Sequence, residues 1–329
     1  MIISRTPFRV SLFGGGTDLP EWLNKKNGKV FSLAINKYCY ISVRNLSEFF
    51  DYKYAISYFK REHTKDFNKI KHPVVKNIIK LYGRKSRLEI EHKSDLPARS
   101  GIGSSSSFSV GLLNSFLSNR KQISKKRLSN EAIHLEQSIL KEAIGIQDQI
   151  RVTYGGMGFI NMSKNNFDVK NLTKNCKTVK EIEDSILLIY SNISRNASKI
   201  EIEKKKNLKK NKKIIDNMKF IYDITCEAEK NILSNNFNLK EIGNLLSEQW
   251  NYKKKLSRNI TNKKIDEIYN TIIDQGAYGG KLLGAGSGGF MVFLAKKSVQ
   301  KKILNKVKNL KILKVKTDYT GSRIFKSSL

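Results

Sequence analysis

Asp95-Leu-Pro-Ala-Arg-Ser-Gly-Ile-Gly-Ser-Ser-Ser-Ser107 is the stretch on which the fold turns. Gly101 and Gly103 let backbone N–H groups turn toward an anion with no Cβ in the way. The serines after them open a helix, predicted from Ser104 to about Phe116. Loose backbone, N–H donors without helical partners and the positive end of a helix dipole together make a phosphate cradle. A helix merely capped by serine needs one such residue, and here four stand in a row after two glycines. Upstream, Leu88-Glu-Ile-Glu-His92 alternates as a half-buried strand, and downstream a second helix is predicted over residues 125–143.

Two further segments concentrate glycine: Pro7-Phe-Arg-Val-Ser-Leu-Phe-Gly-Gly-Gly-Thr-Asp18, and residues 284–289 within Lys281-Leu-Leu-Gly-Ala-Gly-Ser-Gly-Gly289. The first lies between short apolar runs at 10–13, 30–33 and 38–43 that read as strands. The second runs straight into an apolar strand, Phe290-Met-Val-Phe-Leu294. Other predicted elements are a strand at Ile186-Leu-Leu-Ile-Tyr190, helices over 239–256 and 263–275, a basic helix after the 290–294 strand, and strands at 311–315 and 322–325. Strands and helices mix without regular βαβ alternation, so the class is α+β. At 329 residues the chain is long enough for two domains with a cleft between them, and the polar stretch near 164–180 is the expected junction, giving domains 1–170 and 171–329.

The formal charge is +33, which brings polyanions to mind. Much of it is lysine in a chain rich in Lys, Asn and Ile. The most basic run, residues 204–213, carries no interleaved aromatics for base stacking and no nucleic-acid-binding motif accompanies it, so a solvated helix face is expected and no nucleic-acid partner. Cys39, Cys176 and Cys226 form no CxxC pair, which excludes a disulfide framework or zinc knuckle. Arg5 and Pro7 stand where a signal peptide needs an apolar run, and no stretch reaches membrane-span length, so a soluble cytoplasmic protein is expected.

Familiar nucleotide motifs fail. There is no GxxxxGK[ST] and no His-Arg-Asp kinase loop. Gly284-x-Gly286-x-x-Gly289 matches GxGxxG as a string but leads into a strand, with lysines where a ribose-binding acid should stand. Among carboxylates, Asp148 stands in a short polar connection, Glu136 lies on a helix among Ile133, Ile139 and Leu140, and Asp18 closes the Gly14-Gly15-Gly16-Thr17 turn, where it either accepts from ligand hydroxyls or caps the next helix. His63, His72, His92 and His134 share no ligand spacing and read as structural or surface residues.

The order of the three glycine segments resembles the GHMP small-molecule kinases over essentially the full length. Pro97-Ala-Arg-Ser-Gly-Ile-Gly-Ser-Ser-Ser106 is similar to the family's P-x-x-x-G-L-G-S-S-A, residues 281–289 to its C-terminal glycine motif, and residues 7–18 to its N-terminal sugar-kinase motif. Phe-Gly-Gly-Gly-Thr-Asp-Leu-Pro-Glu-Trp22, Gly-Ile-Gln-Asp-Gln149 and Tyr154-Gly-Gly156 look most like the D-glycero-D-manno-heptose 7-phosphate kinases. Galactokinases carry Glu-His where this chain has Gly15-Gly16, which speaks against galactose.

The resemblance implies a two-domain GHMP kinase fold, with an N-terminal domain like domain 2 of ribosomal protein S5 and a ferredoxin-like C-terminal domain. It implies ATP- and Mg²⁺-dependent phosphorylation of the anomeric hydroxyl of a heptose 7-phosphate, feeding nucleotide-activated heptose for capsule or other surface glycans. ATP then falls to Gly101, Ile102, Gly103, Ser104, Ser105, Ser106, Ser107, Gly286 and Ser287; Mg²⁺ to Ser105 and Glu136; catalysis to Asp148 as base with Arg9 beside it. The sugar phosphate falls to Gly14, Gly15, Gly16, Thr17, Asp18, Arg99 and Arg195. Another anomeric sugar kinase of fucokinase type, or a silent sensor on the same fold, is the alternative; the oligomeric state, a homodimer included, stays open.

Overall fold

The computed structural model describes residues 1–83, 86–118, 123–193, 202–203 and 211–326. Arg195 and most of the 204–213 lysine run lie outside the described residues.

Strands β1 (Ile2–Phe13) and β2 (Gly28–Asn45) pair antiparallel and form the spine of an eight-stranded sheet. The apolar runs at 30–33 and 38–43 are one strand. The register slips between Pro7 and Phe8, so β2 absorbs Asn36 and Lys37 in a bulge opposite a proline that has no N–H to give. Beyond the bulge β2 pairs with β5 (Leu88–Ser94), which carries β3 (Tyr54–Ser57) and then β4 (Arg61–Thr64). Its first half pairs instead with β6 (Met157–Met162), followed by β7 (Phe167–Asn171).

Helix α1 (Pro20–Leu23) follows the first glycine loop, and α2 (Pro73–Ile78) runs on into a π turn. The buried helix α3 (Ser104–Leu117) lies on β1 and β2, with α4 (Lys125–Ile133) and α5 (Gln147–Tyr154) beside it. The helix expected over 125–143 is not uniform: from His134 to Ile139 it widens into a π turn.

After α6 (Lys177–Ser185) a second, antiparallel sheet begins with β8 (Ile186–Tyr190). It contains β9 (Gly279–Leu282), β10 (Phe290–Leu294) and β11 (Lys311–Leu313) in the order β11-β8-β10-β9. Helices α7 (Lys212–Leu233), α8 (Leu239–Lys254), α9 (Lys263–Asp274) and α10 (Lys297–Lys306) complete this lobe. The final strand, β12 (Arg323–Lys326), returns to pair with β1, so a single cut near residue 171 does not follow the sheets. In β8, Ile186 and Leu188 enter one hydrophobic cluster while Leu187 and Ile189 enter the other, as period-2 alternation requires. Each cluster mixes residues of both lobes, so the two halves share a continuous core. Among the described residues no helix is long and apolar enough to cross a membrane.

Candidate active site

A cleft of about 680 Å³ lies where the lobes meet, lined by parts of all three glycine segments. A larger, shallower depression of about 1260 Å³, bordered by α6 and the 236–240 turn, shares no lining residue with the cleft and contains none of the candidate site residues.

The base of the cleft is an ion pair. Arg9, 5% exposed on β1, grips Asp148 with two parallel bonds, Nε to Oδ1 at 2.7 Å and Nη2 to Oδ2 at 2.6 Å. Nη1 donates to Gly101 O at 2.6 Å, and the Arg9 backbone N–H donates to Ile102 O at 2.9 Å. Such a fork leaves the carboxylate little freedom. Asp148 is not in a loop, as its sequence context suggested, but in the first turn of α5, where a helix dipole favours negative charge.

The cradle forms as expected at the backbone. Gly101 and Gly103 have φ of +91° and +76°, and α3 starts at Ser104. Gly101, Gly103, Ser104, Ser105 and Ser106 line the cleft. Ile102 and Ser107 do not: Ile102 is fully buried, and the Ser107 hydroxyl donates to Pro7 O and Gly103 O, locking the helix start to β1.

Behind Ser106 stands Glu136, fully buried in the π turn, a feature that re-aims one side chain out of helical register. Ser106 Oγ donates to its Oε2 at 2.9 Å, and Gln149 Nε2 donates to the same oxygen. Oε1 completes no hydrogen bond; Ser109 lies close enough to ease the burial of charge, yet its hydroxyl is also without an aligned partner. Burial pushes this carboxyl up to about 7. Ser105, the expected metal partner of Glu136, is exposed on the cleft side, and the serine that touches Glu136 is Ser106. Among the described residues no three His, Cys, Asp or Glu side chains cluster as a metal cage. One carboxylate with hydroxyl oxygens is nevertheless a donor set that suits Mg²⁺, which takes most of its ligands from phosphates and water.

On the opposite side, Gly15, Gly16 and Asp18 line the cleft, whereas Gly14 and Thr17 do not. A Cβ at Gly14 would stand 1.9 Å from Lys29 O, and the fully buried Thr17 hydroxyl donates to Gly14 O and Lys29 O, so these two residues build the turn against β2. Asp18 accepts from the Gly16 N–H at 2.9 Å and the Gln147 N–H at 3.3 Å. Burial first, then the nearby Asp148 charge, raise its pKa. Gly145 is obligatory here, since a Cβ would lie 1.8 Å from Asp18 Oδ2.

The C-terminal loop reaches the cleft through Gly284 and Ala285, not through Gly286 and Ser287. Ser287 turns away: its N–H donates to Ile260 O and its hydroxyl to Asn259 O. Arg99 lines the cleft with a left-handed φ of +60°.

Several lining residues escaped the sequence reading. Lys253 and Lys281, 7% and 2% exposed, line the C-terminal wall, with the Lys253 ammonium on Leu282 O and Gly284 O. Tyr58, Phe59, His72, His92 and Phe108 form an aromatic end, with ring centroids of His72 and His92 at 4.7 and 5.0 Å from Phe108. Burial lowers the pKa of both histidines. Only the placement of Lys281 at the head of a glycine loop could have signalled its position.

A phosphate cradle, a fixed carboxylate and a two-lobed cleft define a phosphotransferase, and sequence comparison agrees. Residues 68–156 match the GHMP kinases N terminal domain and residues 228–312 the GHMP kinases C terminal domain. The chain belongs to the GHMP kinase family and is a kinase. It is similar to the D-glycero-alpha-D-manno-heptose 7-phosphate kinase of Campylobacter jejuni, 30% identical over 304 residues that cover 89% of this chain and 88% of that protein. It is also similar, at 25% identity over 91% of its length, to 30% of the bifunctional fucokinase/GDP-fucose pyrophosphorylase of Arabidopsis thaliana. The crystal structure of a D-glycero-D-manno-heptose 1-phosphate kinase from Bacteroides thetaiotaomicron superposes with a TM-score of 0.79 at 20% identity, each chain covered in full, and shows the same fold.

Proposed function

We propose that this protein transfers the γ-phosphoryl group of ATP to the anomeric C1 hydroxyl of D-glycero-D-manno-heptose 7-phosphate, giving the 1,7-bisphosphate for nucleotide-activated heptose destined for capsule or surface glycan. The observation that carries the kinase chemistry is the Arg9–Asp148 fork at the mouth of the cradle. The heptose 7-phosphate is taken from the Campylobacter relative.

In this reading the ATP phosphates lie against the Gly101–Ser106 backbone at the start of α3, with the base toward the aromatic end around Phe108. Glu136 Oε1 and the Ser105 hydroxyl are the groups that would hold Mg²⁺, which when bound neutralises charge on the phosphoryl oxygens. Asp18 and the Gly15–Gly16 edge orient the sugar hydroxyls. As the anomeric oxygen bonds to phosphorus and the bond to ADP breaks, its proton passes to Asp148. Neutralising Asp148 releases the Arg9 charge from its pair at the moment the phosphoryl oxygens need a cation, so one residue pair serves both demands. The 7-phosphate meets the cations of the cleft wall, Arg99 on the cradle side and Lys253 and Lys281 opposite.

An ADP-release assay comparing heptose 7-phosphate with free heptose, fucose, galactose and mannose tests the assignment. Heptose 7-phosphate should give the highest kcat/KM. Turnover confined to unphosphorylated sugars would overturn the substrate while leaving a sugar kinase, and fucose as best acceptor would favour the reading that the Arabidopsis relative suggests.

A further inference from the structure

Gln249 of α8 is 1% exposed and touches no part of the cleft, yet both ends of its amide reach into the other lobe. Oε1 accepts from the Gly14 N–H at 2.6 Å, and Nε2 donates to Leu12 O at 3.0 Å. A carbonyl and the N–H two residues on are the pair a parallel neighbouring strand would engage. The side chain therefore substitutes for a strand at the point where β1 ends and the sugar loop begins.

The loop has little slack elsewhere. Gly14 has φ of +79° and backs directly onto Lys29 O, while Thr17 bonds the loop to β2 from within. Gln249 fixes the remaining side, so the Gly15–Asp18 edge has its position set jointly by β2 and by a helix of the C-terminal lobe. Four residues on, on the same helix face, Lys253 donates to Leu282 O at 3.0 Å and Gly284 O at 2.7 Å. Trp250 between them is fully buried and holds the helix in place. One helix thus grips the sugar loop and the C-terminal glycine loop together.

We infer that Gln249 is a positioning residue for the sugar acceptor: it sets the distance between the Gly15–Asp18 edge and the Asp148 base without touching the substrate. The inference rests on the reading that this loop holds the sugar, and not on which sugar it is.

The test measures acceptor KM, ATP KM and kcat for wild type, Gln249→Met and Gln249→Glu, using whichever sugar wild type turns over best. Gln249→Met keeps the volume and leaves Leu12 O and the Gly14 N–H unbonded; acceptor KM should rise about tenfold, the size expected for unsatisfied buried groups. ATP KM should stay within twofold. Gln249→Glu regains the donor when protonated, so its acceptor KM should fall toward the wild-type value as pH is lowered from about 8 to 6, compared with wild type at each pH. Unchanged KM values, or equal rises for acceptor and ATP, would overturn the inference. If Gln249→Met does not fold, the pH rescue of Gln249→Glu decides alone. Failure of the substrate reading would show instead in the wild-type sugar comparison.

Discussion

The cradle at Gly101–Ser107 and the loop at 284–289 are both rich in glycine, both adopt left-handed backbone, and they meet through the flanking Ser100 and Leu283, yet glycine at Gly103 and glycine at Gly286 and Gly289 serve opposite needs. At Gly103 a missing Cβ leaves room beside Arg9 and Asp148, and the chain opens toward the cleft. At Gly286 and Gly289 the missing Cβ admits protein: a methyl would stand 2.8 Å from Ile260 Cα and 2.4 Å from Ser100 O. The element after each loop separates them further. The cradle delivers N–H groups into the start of α3, where the helix itself offers them no acceptor. The other delivers them into β10, beginning with the Phe290 N–H on Ser100 O at 2.8 Å. One loop is built for a ligand; the second is largely the seam that presses the first into place.

Five sites offer ways to break or sharpen that contrast. Asp148→Asn should have the largest effect, lowering kcat about a thousandfold, as loss of a general base does, while ATP binding followed by fluorescence displacement stays within twofold. Near-normal turnover would move the base elsewhere.

Next comes a pair. Gly289→Ala meets backbone at 2.4 Å in a left-handed conformation and should cost about 3 kcal/mol of stability, read as a lower Tm, with ATP KM preserved in the protein that remains folded. Gly103→Ala carries the same left-handed strain but meets only side chains, Arg9 Cγ at 3.0 Å and Asp148 Oδ2 at 3.4 Å, so Tm should fall less and, because those two groups are the catalytic pair, kcat more. Equal losses of Tm would erase the distinction between a ligand loop and a seam.

Glu136 gives a pH signature that the seam has no counterpart for. Its carboxyl is pushed up to about 7 in the fold from an ordinary value of 4.5, chiefly by burial. Between those values the folded protein keeps a proton that the unfolded chain has lost, so this group's contribution to stability declines as pH rises through the window and levels off above it. Without divalent cation, wild type should lose roughly 3 kcal/mol relative to Glu136→Gln between pH 4.5 and 8. Added Mg²⁺ should recover part of that at high pH. A pH-independent difference between the two proteins would show that the carboxylate is charged in the fold throughout.

The smallest effect belongs to Ser287→Ala. Its hydroxyl bonds Asn259 O and not the cleft, so ATP KM should stay within twofold and stability within about 1 kcal/mol. A tenfold rise in ATP KM is the result that would restore this loop as a nucleotide contact.

Much of this arrangement was legible in the residues. The α3 start, the β5, β8 and β10 strands and the helices from 239 onward arise from local period and capping, because those signals act over a few neighbouring residues. Asp148, Glu136 and Asp18 were singled out on residue type and Arg9 through the family resemblance, and the fold brings Arg9, Asp18 and Asp148 to one cleft, with Glu136 behind it. Other features were invisible because they depend on long-range pairing. The bulge that joins two apolar runs into β2 needs β1 opposite it, and the return of β12 to the first sheet needs a partner more than 300 residues away in the chain. Thr17, Ser107 and Ser287 looked like ligand hydroxyls; tertiary contacts commit them to carbonyls instead.

The sequence by itself determined many of the secondary elements, the α+β class, the glycine segments that make a kinase of this family, and the kinds of side chain that could do the chemistry, since propensity, periodicity and backbone freedom are local properties. Only the tertiary structure decided which glycines face a ligand, which serine touches Glu136, that Lys253 and Lys281 reach the cleft, and that Gln249 completes the end of β1. A side chain's burial and its hydrogen-bond partner are set by atoms from distant parts of the chain, and no local pattern records them.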